Sequence, residues 1–531
     1  MTEADAVYVK SSPIAGRGLF AKKDIGEGEL IFRIAQPMIA VLDVPRIDDT
    51  CATCFTWTVN PTGPSTDHAV TVKACARCKQ LKFCNKTCQS RAWSLFHKFE
   101  CRTHDPLAAV NTTELRKFMH TGRAVIRLLL QWEHGTISAD AWNDMLKLEA
   151  SVDRILAAGG KRAVEVRGLG ESALWYTGLK GKYSNEFAVH LSAMLQINAF
   201  TLITPTLDPI GVVFDPLAAC ANHSCNPNAV VLMDGPHMCF RSLRPILKDT
   251  EILISYVDAT NPRSRRHEEL KERYYFTCTC EKCAASPSHP EDELRPLNAV
   301  QKRKTQAVLA KILKENPDLA PDISQHPSLD TALEVLEKHY FDELTRIRVA
   351  NIPYLQINAN ITCTIIEDRI RMVSSVPAWP QHRQPLPALR HELYLNHVCT
   401  GRWADAFLQV VLMHTLSDPI LYPAPHHPVR AVRLWTAAKL GLLIAEHGAP
   451  ETWWGVNVGP VTLAYFSEFI GIVGKSHGVG SKFEKMAREK WEDVTYGPLV
   501  AGNVMVKGIV EDSLRRLVEI GLAAEKAENA A

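Results

Sequence analysis

Cys278, Cys280 and Cys283 form a C-x-C-x-x-C cluster, which offers three thiolates where a closed structural zinc site takes four ligands. The best candidate for the missing ligand is Cys225, because it ends the polar run Asn222-His223-Ser224-Cys225 at the foot of an apolar segment. A metal held by all four would tie the chain after Tyr256 back onto a loop of Asn, His and Ser, residue types that line polar ligand sites. Tyr256 itself ends the strand-like run that starts at Glu251.

A second set reads Cys51-x2-Cys54, Cys75-x2-Cys78, Cys84-x3-Cys88 and His97-x3-Cys101. Seven thiols and one imidazole make eight ligands in four pairs, enough for two tetrahedral Zn²⁺ ions. The spacing leaves the pairing open. A module of about fifty residues has too little apolar content to fold alone, and zinc binding, on the order of 10–16 kcal/mol in small peptides, supplies that stability. The role expected of this set is structural. The other four of the fifteen cysteines, Cys220, Cys239, Cys363 and Cys399, read as free buried thiols in a reducing compartment.

The chain has 531 residues, too long for one hydrophobic core, so roughly three or four domains are expected. Composition is that of a globular protein, 46% hydrophobic and 22% charged with a formal net charge of +2. That balance argues against a nucleic-acid binder, which would show a basic face or recognition helix. Met1–Lys10 lacks the basic and apolar regions of a signal peptide, and no uncharged apolar run reaches membrane-spanning length. A soluble, monomeric protein of the cytoplasm or nucleus, without membrane association, is the expectation.

Elements that must position these residues are strands interrupted by two insertions. Strand signals occur at Tyr8-Val9-Lys10, around the Gly16-Arg17-Gly18 turn and from Gly28 to Pro37. They return at Ala199–Ile203, Gly211–Phe214, Ala229–Leu232 and Glu251–Tyr256. Between them, Asn111 and Glu114 are spaced like a capping box, and Leu115, Phe118, Met119, Val125, Ile126 and Leu129 make a helical stripe. Gly159, Gly160, Gly168 and Gly170 read as a break, followed by a helix through Phe187 to Met194. Beyond about residue 291 the pattern is helical, with paired helices at 388–414 and 427–473 and an Ala-rich tail after Leu522 that reads as a frayed end.

In order, Gly16-Arg17-Gly18-Leu19-Phe20, Asn222-His223-Ser224-Cys225-x-Pro227-Asn228, Asp249–Tyr256 and Cys278-x-Cys280-x-x-Cys283 resemble a SET domain with its zinc-binding post-SET tail. The first cysteine set resembles a MYND zinc finger. Together with the helical C-terminal part, where His427-Pro428-Val429-Arg430 and Lys439-Leu440 are similar to a family helix, the whole chain resembles the SMYD family of SET- and MYND-domain lysine methyltransferases. The implied fold is α+β and multidomain: a split β-rich SET core at 1–48 and 191–260, a MYND double-zinc finger at 49–103 and a helical insertion at 104–190. A post-SET zinc region at 261–290 and a helical, TPR-like domain at 291–531 complete it.

The resemblance also implies three zinc ions: one on Cys51, Cys54, Cys84 and Cys88, one on Cys75, Cys78, His97 and Cys101, and one on Cys225, Cys278, Cys280 and Cys283. It implies S-adenosylmethionine as cofactor, held by Gly16, Arg17, Gly18, Asn198, Asn222, His223, Tyr256 and Phe276, with Phe200 and Tyr274 lining a lysine channel and Tyr256 catalytic. Ala15 and Arg17 stand where several family members carry Arg and Asn, which leaves the backbone of this turn to approach the cofactor. Methyl transfer to lysine is an in-line displacement by a neutral amine, so the site must desolvate the lysine and align it. The expected partner is a histone or non-histone protein substrate, with a proline-rich peptide at the finger. The alternative is a catalytically weak scaffold that binds partners through its finger and helices.

Overall fold

A computed structural model of the chain describes residues 2–3, 6–57, 71–103, 120–286, 288–315, 329–350, 359–495 and 506–526. Short strands build the N-terminal half. Leu30–Ile34, His237–Ser242 and Ala229–Asp234 run antiparallel in one sheet edged by Thr2–Glu3, with Phe32 stacked on Phe240 at 4.3 Å. A second antiparallel sheet has the order Ile39–Leu42, Pro209–Phe214, Phe200–Ile203, and Val7–Ser11 pairs with Arg17–Ala21.

One pairing is parallel: Asn222–His223 lies beside Leu253–Ile254. Asn228 fixes it, donating through Nδ2 to the Glu251 carbonyl at 2.8 Å and accepting at Oδ1 from the Leu253 amide at 2.8 Å. Of the run expected to be a strand from Glu251 to Tyr256, only Leu253–Ile254 is paired as a strand; Glu251 makes a single bridge to Phe20, and the Ile252 amide donates to the Leu19 carbonyl at 2.8 Å. The strand His237–Ser242 was not foreseen. Its hairpin turn is Gly235-Pro236, with Gly235 at φ +59°, and the Asp-Gly pair before it is the signal that could have found it.

Both insertions pack back onto the sheets. Cys51, Cys75, Cys78 and Cys101 share one core with Ile31, Phe32 and Phe240. The helices His120–Glu133, Gly160–Thr177 and Asn185–Asn198 bury Val125, Leu129, Val166 and Leu191 against Ile39, Val41 and Phe214. The capping box Asn111–Glu114 and the stripe residues Leu115, Phe118 and Met119 lie outside the described residues. The glycine-rich break is confined to Gly159 and Gly160, both at φ +67°. Gly168 and Gly170 continue the next helix, and Gly170 touches its neighbour so closely that a Cβ would lie 2.7 Å from the Ala188 carbonyl carbon. A missing side chain here permits close helix packing rather than ending the helix.

The C-terminal part is helical, with cores around Leu336, Ile366, Ile370 and Leu389 and around Phe407, Trp435, Phe466 and Phe469. It meets the sheets along a polar seam. Arg241 Nε donates to the Lys475 carbonyl at 3.3 Å, His477 Nε2 to the Pro205 carbonyl at 3.0 Å, and the Lys482 amide to Asp234 Oδ1 at 3.1 Å. The chain end is anchored, not frayed, as far as it is described: Glu525 accepts from Arg390 Nε at 2.7 Å and Nη2 at 2.8 Å. Of the four cysteines outside the ligand groups, Cys220, Cys239 and Cys363 are buried, whereas Cys399 is exposed at its helix end. No helix among the described residues is long and apolar enough to cross a membrane.

Two outcomes follow from this packing. Gly170→Val should destabilise the protein by about 1–3 kcal/mol through overpacking, while Gly168→Ala, with open space at its Cβ, should be neutral or stabilising by up to about 1 kcal/mol in denaturant unfolding. Burial lowers the imidazoles of His427 and His477 to about 3. Their folded-state values lie below the unfolded one of about 6.5, so their contribution is whole above that pH and is lost as pH falls toward 3. Stability should drop by on the order of 1–2 kcal/mol per residue at pH 5, and the double variant His427→Gln/His477→Gln should show a flatter pH profile than the wild type.

Candidate active site

Three groups of ligand atoms converge, each within 4.8 Å: Cys51, Cys54, Cys84 and Cys88; Cys75, Cys78, His97 and Cys101; Cys225, Cys278, Cys280 and Cys283. A tetrahedral zinc site with bonds of about 2.3 Å to sulfur has edges of about 3.8 Å. The Sγ pairs Cys54–Cys84 at 3.6 Å, Cys75–Cys101 at 3.8 Å and Cys283–Cys225 at 3.5 Å fit those edges. The chain thus has three clusters that fit three zinc ions, and the interleaved pairing of the first set, open from spacing alone, is set by the fold.

The third group sits beside a cleft of about 1210 Å³. Asn198, Phe200, Asn222, His223, Tyr256, Tyr274 and Phe276 all line it, with Gly16 and Arg17 at one end. Gly18 does not. It is buried, and a Cβ there would lie 2.2 Å from Glu251 Oε1, so its lack of a side chain makes room for that carboxylate. Glu251 in turn accepts from Asn222 Nδ2 at 2.8 Å and Ser12 Oγ at 2.9 Å. Asn222 Nδ2 also donates to the carbonyls of Ala15 and Arg17, each at 3.1 Å. Its side chain therefore holds the shape of the Gly16 turn, where φ of +49° favours glycine.

His223 connects the metal group to Tyr256. Its Nδ1 accepts from the Tyr256 amide at 3.0 Å, so the ring proton is on Nε2, 3.2 Å from Cys225 Sγ. Burial lowers this imidazole to about 4, which keeps it neutral. The Tyr256 hydroxyl donates to the Ala221 carbonyl at 2.8 Å, and burial raises its pKa, so it remains a phenol. Tyr274 lies with its ring centroid 5.0 Å from that of Tyr256, and Phe276 is 5.7 Å from the imidazole.

Helix Arg263–Tyr274 delivers these aromatics. It ends at Tyr275 in the left-handed conformation, φ +63°, which turns the chain so that Tyr274 and Phe276 both reach the cleft. Arg162, from the helical insertion, donates through Nη1 to the carbonyls of Glu272 and Arg273, each at 3.0 Å, and lies 5.5 Å from the Tyr275 ring centroid. Arg17 points to the insertion as well, with Nη2 3.0 Å from the Asp144 carbonyl. Asn198 Nδ2 is occupied by the carbonyls of Glu149 and Met194 at 2.7 and 2.8 Å. Arg162, Tyr275 and the cleft-lining Glu149 and Arg154 were not read from the sequence, since each lies outside the motifs and only the tertiary contact identifies it; Glu251 lies inside the Asp249–Tyr256 motif, but its bond to Asn222 appears only in the fold.

Residues 16–257 match the SET domain family. The chain is 29% identical over 272 residues to the SET domain and MYND-type zinc finger protein 6 of Schizosaccharomyces pombe, covering 51% of this chain and 50% of that protein. It is 30% identical over 277 residues to N-lysine methyltransferase SMYD2-A of Danio rerio, and 28% identical over 275 residues to N-lysine methyltransferase SMYD2 of Homo sapiens. Those matches cover 52% and 51% of this chain and 59% of each relative, so the matched stretch spans between half and six tenths of these proteins.

Elemental analysis of the purified protein should give about three zinc ions per chain by ligand count, and Cys225→Ser should give about two. A Cys225→Ser protein that retained the full metal content would show that this thiol is not a ligand.

Proposed function

We propose that this chain is a member of the SMYD family of SET- and MYND-domain proteins and an S-adenosylmethionine-dependent protein-lysine N-methyltransferase. The observation that carries the reading is convergence: Asn222, His223, Tyr256, Tyr274 and Phe276, drawn from separate segments, line one cleft beside the third metal group. A scaffold for partner proteins would need no such meeting of groups.

The lining fits the proposed cofactor chemically. An adenosine with a zwitterionic amino-acid tail requires an aromatic wall, exposed backbone and charged groups at one end. Phe276 and Tyr275 offer the wall, Ala15-Gly16-Arg17 the backbone, and Lys147, Glu149 and Arg154 the charges. Asn222 and His223 would hold it with them. When bound, S-adenosylmethionine supplies an electrophilic methyl on a sulfonium. The protein must present a neutral amine to it.

Tyr256 and Tyr274, both half-buried and packed on the small apolar core beside the third cysteine group, form a passage that penalises the ammonium form of an entering lysine. Because the Tyr256 hydroxyl gives its proton to the Ala221 carbonyl, its lone pairs are free to accept from the amine and orient its nitrogen. Phe200, beside Phe240 at 6.3 Å, narrows the opposite side and excludes water. The substrate is a lysine of a histone or another protein, and the finger is a candidate docking site for a proline-containing segment.

Calorimetry on the zinc-loaded protein should detect S-adenosylmethionine binding. Tyr256→Phe should leave that binding little changed while lowering kcat by about 10²–10³-fold, the usual cost of removing one preorganised group at the reacting centre. Folded, metal-replete protein that failed to bind S-adenosylmethionine would contradict the enzyme reading, and a Tyr256→Phe enzyme with wild-type kcat would remove Tyr256 from the mechanism.

A further inference from the structure

A second cleft, of about 1430 Å³, opens from the far side of Phe200 and Tyr275. Phe200, Thr201, Tyr275, Arg154 and Arg273 line both cavities, so this one is a corridor to the aromatic passage. We propose, resting on the methyltransferase reading, that this corridor selects protein segments in which acidic residues flank the target lysine.

The argument is one of uncompensated charge. Five cations, Arg154, Lys161, Arg162, Lys271 and Arg273, line the corridor with three carboxylates, Glu165, Glu268 and Glu272. Two of the carboxylates are engaged: Glu165 with Lys161 at 3.7 Å, and Glu268 with Lys338, outside the corridor, at 3.2 Å. Arg162 bonds only to backbone carbonyls and a glutamine. Arg154, Lys271 and Arg273 form no ion pair with any described residue. Four cations therefore face the corridor against Glu272 alone. The whole chain carries a formal charge of only +2, so this excess is local, at the entrance to the proposed channel.

A substrate strand with Asp or Glu beside its lysine meets opposite charge on entry, whereas the Lys- and Arg-rich flanks of a basic tail meet like charge. The same cations disfavour an ammonium group approaching Tyr274, whose ring lies 5.4 Å from the Arg273 guanidinium. Electrostatic complementarity of this kind acts mainly on association and on rejection of wrong partners.

The test uses full-length, zinc-loaded protein and a library of lysine-centred peptides with randomised flanks. It is read in two ways: methylated products with S-adenosylmethionine, and peptides retained by the protein loaded with S-adenosylhomocysteine. Acidic residues should be enriched beside lysine in the retained pool, and in the products where transfer occurs. Lys271→Glu, in the corridor but not in the cofactor cleft, should lower the acidic-to-basic ratio by about fivefold or less, the range of an exposed ion pair. The wild-type preference should weaken as salt rises.

Protein that binds the cofactor but retains basic peptides as well as acidic ones, or retains none, overturns the proposal while leaving the enzyme reading intact. Failure to bind the cofactor overturns the enzyme reading instead. Displacement of acidic peptides by an equal concentration of a short single-stranded RNA would reassign the corridor to nucleic acid and overturn the proposal as well.

Discussion

The imidazole of His223 is the joint on which the site depends. A backbone amide can only donate, so the bond from Tyr256 to Nδ1 forces the ring proton onto Nε2, toward Cys225. One ring thus reads the metal group on one edge and sets the backbone of the proposed catalytic residue on the other, the outer-shell arrangement that orients metal ligands generally. Four thiolates around Zn²⁺ carry a formal charge of about −2. That charge is opposed from two sides, by the His223 N–H and by the buried Arg266 guanidinium, 3.8 Å from Cys283 Sγ. Cys225, Val257, Leu270, Cys278 and Cys283 form one small core with Tyr256, Tyr274 and Phe276 packed on it. The metal and the aromatic wall therefore stand or fall together.

Around this joint the insertions act as struts. The chain leaves the β core twice, yet each excursion returns a contact. Asp144 receives Arg17 from the Gly16 turn, Arg162 caps the helix that carries Tyr274, and Glu100 of the finger accepts from the buried Arg127 at 3.0 Å. The C-terminal helices add a fixed back wall. Gln384 Nε2 donates to Thr260 Oγ1 at 2.9 Å, four residues beyond Tyr256, and the Arg263 amide donates to Asp292 Oδ1 at 2.6 Å. Among the described residues the two ligand groups of the finger have no comparable link to the cleft; their segment packs Phe55, Leu81, Phe83 and Phe96 into the core shared with the sheets.

Much of this is legible in sequence because cysteine spacing is a geometric statement. C-x-C-x-x-C closes only around a metal-sized space, and three thiolates demand a fourth, so Cys225 could be named before any fold was known. Asn222, His223 and Tyr256 were legible because the runs that carry them, Asn222–Asn228 and Asp249–Tyr256, resemble SET-domain motifs. The groups that shape the cleft from outside the motifs were not legible. Arg162 reaches helix Arg263–Tyr274 across more than a hundred residues. Tyr275 adopts a left-handed backbone that no local pattern demanded. Glycine was misread twice, at Gly18 and Gly170, since composition suggests a turn whereas each glycine exists to let a neighbour approach. Arg154, Lys271 and Arg273 form one charged surface only after the chain has folded.

The neutral Nε2–H form of His223, bonded to Cys225 and Tyr256 at once, is the claim on which this account rests. Nitrogen NMR of the zinc-loaded protein with 15N-labelled histidine, the His223 signals assigned by their loss in His223→Gln, reads that form directly. The account predicts a protonated, pyrrole-type Nε2 and a bare, pyridine-type Nδ1, with this single form lost in Cys225→Ser. A His223 ring protonated at Nδ1, or one exchanging between both forms in the zinc-loaded protein, would contradict it.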